Sequence, residues 1–105
     1  MSLTMVRGFF DDERIRILRR YGDRYVMIFM MLVGISERDL PDSGLYLQNG
    51  KSILKDDLPA ILGVDMDTAK KAFMLLESLG MLEIDDGVIY VNYSGLFYEN
   101  SKQAV

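Results

Sequence analysis

The residues with most chemical potential in this chain are three carboxylate pairs, a lysine pair and a group of arginines. Asp11-Asp12, Asp56-Asp57 and Asp85-Asp86 could in principle share a proton for acid–base work or hold a magnesium ion. The first two pairs precede apolar-periodic segments, where Asp caps helices, and the third precedes Gly87, where Asp-Gly makes a turn. No Gly-rich phosphate loop accompanies any of them, so capping and turn formation is the expected role. The sequence has no histidine and no cysteine. Imidazole bases, Ser-His-Asp and Cys-His arrangements, thiolate metal sites and disulfides are therefore excluded. The chain is expected not to be an enzyme and to need no cofactor or metal.

The cations suggest a different chemistry. Lys70 and Lys71 are either phosphate donors on an exposed helix face or ordinary solvated lysines. Asp67 and Thr68 stand at the start of that helix, where base edges are read in a recognition helix and where capping residues also belong. Arg14, Arg16, Arg19 and Arg20 could form a phosphate-binding patch. The alternative is that they complement a helix dipole and pair with Asp11, Asp12, Glu13 and Asp23. Residues 7–24 carry six arginines against four carboxylates, whereas the rest of the chain carries six basic against twelve acidic residues, for a formal net charge of −4. Such a total opposes free-standing electrostatic binding to nucleic acid, but its uneven distribution permits a dipolar surface.

Those side chains need a scaffold, and 105 residues, half of them hydrophobic, make one small globular domain. Met1-Ser2-Leu3 reads as a vector remnant without structural weight, so the domain is expected over residues 4–105. Asp11 to Tyr21 reads as a short helix with Ile15, Leu18 and Tyr21 on one apolar stripe and Gly22 at its end. Asp23 should cap a second helix, which is apolar on almost every face from Tyr25 to Ile35 and is therefore expected to be buried all round. Met27, Met30 and Met31 with Phe29 fit a core helix; a dimer seam is the other reading. The nine-residue run from Tyr25 to Val33 is far short of the ~20 residues that cross a bilayer, and no export signal is visible, so a cytoplasmic protein without a membrane partner is expected.

Pro41, Asp42 and Gly44 mark a loop, Leu45-Tyr46-Leu47 a short strand, and Asn49-Gly50 a turn. A third helix should start near Lys55 or Asp56, hold Pro59 in its first turn and end at Gly63. A fourth should run from Asp65 or Asp67 to Leu79, burying Ala69, Ala72, Phe73, Leu76 and Leu79. Met81 to Ile84 and Val88 to Asn92 should form a hairpin around Asp85-Asp86-Gly87. The tail from Ser94 shows no period, though Phe97 and Tyr98 could pack back on the body. The order is therefore mainly α with a small antiparallel β-sheet, in a winged helix-turn-helix pattern. That scaffold serves replication proteins, transcription regulators and pure oligomerisation or protein-docking domains alike.

The stretch GFFDDERIRILRRYGDRYVMIFMMLVGISERD resembles the opening of the N-terminal domain of phage replisome organisers. LPAILGVDMDTAKKAFMLLESLGMLEIDDGVIYVNY is similar to that family's helix-turn-helix and wing. Together they cover roughly residues 8–93. The resemblance implies a part in starting phage DNA replication, through origin binding and recruitment of the replicative helicase or its loader. It also implies kinship with DnaD-like primosomal proteins, whose winged-helix domains self-associate, and a further C-terminal region in family members. The expected partners are double-stranded DNA, bound weakly, helicase or loader proteins, and further copies of the chain. The expected nucleic-acid contacts are Thr68, Lys70, Lys71, Arg16, Arg19 and Arg20. With Glu83 beside Asp85 and Asp86, the wing tip should repel phosphates and stay out of a DNA groove.

Overall fold

Asp12 initiates the first long helix by capping it, and a computed structural model, which describes residues 2–40 and 42–100, shows how the rest follows. The Asp12 carboxylate accepts the Arg14 backbone N–H at 2.9 Å, which fixes the start of α1 at Glu13–Tyr21. Gly22 ends α1 and at once begins α2, Asp23–Ser36, with a φ of 142° that an L side chain rarely adopts. The two helices therefore meet at a one-residue corner. Asp23 is the first residue of α2 and not its side-chain cap; its carboxylate instead accepts Arg19 Nε at 3.0 Å.

α2 buries Tyr25, Val26, Ile28, Phe29, Leu32 and Val33, and with Ile15, Leu18, Leu76 and Met81 these residues form the centre of the core. It is not buried all round. Met27 is 62% exposed, and Met30 and Met31 are 38% and 39% exposed. The apolar run thus has an outer face, because no element of this small domain covers it. Tyr21 also leaves the expected stripe, being 52% exposed.

A 3₁₀ turn at Lys55–Asp57 leads into α3, Leu58–Leu62, with Pro59 in its first turn. Gly63 follows in the left-handed conformation, and Asp65 caps α4, Met66–Ser78, accepting the Thr68 N–H at 2.7 Å. β2, Leu82–Asp85, and β3, Val88–Val91, pair antiparallel around Asp86-Gly87, both at positive φ as a tight hairpin requires. The segment 43–47 lies along β3: Leu45 N–H donates to Ile89 O and Val91 N–H to Ser43 O. Single bridges, Gly44 to Tyr90 and Tyr46 to Ser52, stand where a continuous strand was expected. Helix, turn, helix and hairpin therefore occur in winged-helix order, with the bridging segment beside the hairpin.

The first and last described segments pair. β1, Ser2–Met5, pairs antiparallel with β4, Phe97–Asn100, and Leu3 N–H donates to Glu37 Oε2 at 2.7 Å. Ser2 and Leu3, expected to carry no structural weight, are thus strand residues. Phe97 packs edge-on against Phe9 and close to Phe29, so the aperiodic tail does return to the body. Met1, Pro41 and residues 101–105, which include the loop marker Pro41 and the end of the 4–105 domain, lie outside the described residues.

Candidate nucleic-acid interface

α4 occupies the place of a recognition helix, and its buried face positions everything on its outer one. Ala69, Ala72, Phe73 and Leu76 turn inward, which forces Met66, Asp67, Lys70, Lys71, Met74, Glu77 and Ser78 outward. Thr68 is buried at 7% exposure, and its backbone N–H is taken by Asp65. The Thr68 side chain is therefore removed from any surface that a base edge could reach. Hydrogen bonding to Thr68 also holds the Asp65 carboxyl below the usual carboxylate range.

The two lysines diverge. Lys71 Nζ lies 5.3 Å over the ring of Tyr21, which fastens it to the C-terminal end of α1 next to Arg20. Lys70 faces the other way, onto a groove shared with Lys55, Asp56, Met66, Phe73, Met74 and Glu77. Lys55 Nζ itself sits 4.7 Å over Phe73. The outer face of α4 therefore carries two amines and two carboxylates, with methionines between them.

The arginines of α1 also separate. Arg14 is structural: it clasps Asp12 with two hydrogen bonds of 2.9 Å and reaches Ser94 O at 3.1 Å, tying α1 to the end of the wing. That ion pair lowers the Asp12 pKa and raises that of Arg14. Arg19 is held by Asp23 at 3.0 Å and stands 5.9 Å over Phe10. Arg16 and Arg20 are exposed, one turn apart on the same side of α1, and take part in no ion pair among the described residues. Lys70 and Lys71 are likewise without a carboxylate partner within ion-pair distance among the described residues.

The wing presents Glu83, Asp85 and Asp86 to solvent. Among the described residues no group of three His, Cys, Asp or Glu side chains could hold a metal ion, and no helix is long and apolar enough to cross a membrane.

Sequence reasoning set the core reading of α2 ahead of the dimer seam and so underrated its outward face, where Met27, Met30, Met31 and Gly34 follow one another at helical spacing beside exposed Phe10. The signal was present: the methionines of the run stand only at i, i+3 and i+4, with a glycine at i+7, while the β-branched, leucine and aromatic residues take the other positions.

The profile of the N-terminal phage replisome organiser family matches residues 3–104, nearly the whole chain. The chain belongs to that family. No curated protein and no solved structure matches it.

Proposed function

We propose that this replisome organiser domain acts in the host cytoplasm as an assembly module of a phage replication-initiation complex. It self-associates and docks onto the replicative helicase or its loader, and it touches duplex DNA only through phosphates. One observation carries this reading: the elements that a base-reading winged helix inserts into DNA are charge-neutral or acidic here, whereas the solvent face of α2 from Met27 to Gly34 is uncharged and apolar. Carboxylates at the wing tip and on α4 oppose a close approach to the phosphate backbone.

The phosphate contacts fall to Lys70, Lys71, Arg16 and Arg20, the exposed cations without an ion-pair partner among the described residues. Arg19 is a weaker donor, since it must first leave Asp23. Lys70 and Lys71 face different ways, so about two or three of those four engage phosphates at once, and log K should fall against log salt with a slope of roughly −2 to −3. A mobility shift at low salt with duplexes of unrelated sequence tests this. Equal, weak retardation of all duplexes supports it. A strong preference for one sequence would establish a base-reading domain and overturn it.

A further inference from the structure

The exposed positions of α2 are Asp23, Arg24, Met27, Met30, Met31 and Gly34, followed by Arg38 just beyond the helix end. Apart from Arg24, whose mirror position is the half-buried Glu37, this order is palindromic about the point between Met30 and Met31. Reading outward from that point, Met30 matches Met31, Met27 matches Gly34, and Asp23 matches Arg38. The matched residues are complementary as well as symmetric. The most exposed methionine of the stripe meets the residue with no side chain, and a carboxylate meets a guanidinium.

We infer that α2 packs antiparallel against α2 of a second copy of this chain, about a two-fold axis passing between Met30 and Met31. The inference rests on the self-association reading above and specifies the face that carries it. An isologous contact requires a surface that complements itself when reversed, and this stripe does so in size and in charge. A Cβ built on Gly34 would meet nothing within 4 Å, so the space over it is open. Beside it lies a groove of about 530 Å³ lined by Met31, Ile35, Leu47, Ile53 and Ile61. Met27 of the second copy projects into that groove. Phe10 flanks Met27 and Met30 at one end of the stripe, and Leu47 flanks Met31 and Gly34 at the other. Reversal places Phe10 of each copy against the Leu47 end of its neighbour, so the contact extends beyond the helix pair. It also brings Asp23, at the N-terminal end of α2, next to Arg38 beyond the other helix's C-terminal end, as the helix dipoles favour.

The absence of cysteine makes the test direct. Met27→Cys and Gly34→Cys each change an exposed position that has room for the new side chain. Met27 of one copy would lie about 10 Å along the axis from Met27 of the other, and Gly34 likewise from Gly34, too far for a disulfide, whereas Met27 and Gly34 of different copies lie side by side. Under mild oxidation the mixed variants, one bearing a tag that changes its mass, should give the heterodimer as the main cross-linked product. Either variant alone should give little, and Met30→Cys alone should cross-link to itself. Met27→Asp should weaken association at least tenfold without altering the circular dichroism. A parent that is dimeric by light scattering but yields no mixed cross-link would overturn this face while leaving self-association intact. Equal cross-linking of Met27→Cys with itself would overturn the antiparallel order. A parent that is monomeric at every concentration would overturn both.

Discussion

α2 and α4 are nearly equal in length, at 14 and 13 residues, and each buries one face in the same core, yet their outer faces differ in kind. α4 spreads Asp67, Lys70, Lys71 and Glu77 over its solvent side, with Met66 and Met74 among them. α2 shows solvent only methionine and glycine between its charged ends. The comparison teaches that place in the fold does not settle role. The helix standing where a recognition helix stands has no net positive charge to offer a phosphate backbone, and the helix that reads as pure core has the larger unsatisfied apolar surface. Isolated exposed apolar residues are ordinary, but a contiguous apolar stripe on a small domain marks a contact surface.

The largest expected effect separates the two faces of α2. Phe29 is fully buried, so Phe29→Ala should cost about 3–5 kcal/mol in chemical denaturation, while Met30→Ala, on the outer face, should cost under about 1 kcal/mol in the monomer. Equal losses would show that both faces are core and would dissolve the comparison. Next in size is the Asp12 clasp. Asp12→Ala removes the α1 cap and leaves Arg14 without its partner, and should lower stability by about 1 kcal/mol.

The same clasp gives a pH dependence. The Asp12 pKa is lowered, chiefly by the Arg14 hydrogen bond, and that of Asp65 is lowered by Thr68. A carboxyl with a lower pKa in the folded state stabilises the fold fully above its unfolded value of about 4. That contribution is lost as the pH falls through the lowered folded value. Thermal unfolding followed from pH 7 down to pH 2 should therefore show a decline beginning near pH 4. In the Asp12→Ala variant the decline should be shallower.

The smallest effect concerns α4. Lys70→Ala with Lys71→Ala should reduce DNA retention similarly for all sequences and flatten its salt dependence, with almost no change in fold stability. Binding equal to that of the parent would reduce both lysines to solvated surface.

Much of this architecture was legible beforehand. Asp12, Gly63, Asp65 and Asp86-Gly87 carry local end and turn chemistry, which acts within a few residues of sequence and so can be read there. What could not be read depended on distant neighbours. The pairing of Ser2–Met5 with Phe97–Asn100 joins segments more than ninety residues apart, and neither has a period that announces a strand. Whether a methionine of α2 is core or surface depends on how many elements surround the helix, and apolarity alone does not count them. Lys70 and Lys71, adjacent in sequence, face different neighbours because Tyr21 draws one of them toward α1. Thr68 is both a good N-terminal residue and a good buried one, and only its packing decides between the two.

The central claim is that the outer face of α2 is an assembly surface. Its most direct test is light scattering on the eluting chain across a hundredfold range of concentration, run in parallel with Met27→Asp. The account predicts a parent mass approaching twice the 12.0 kDa of one chain as concentration rises, and a variant that stays at 12.0 kDa throughout. A parent that stays at the single-chain mass over the whole range, or a variant that associates as the parent does, would contradict it.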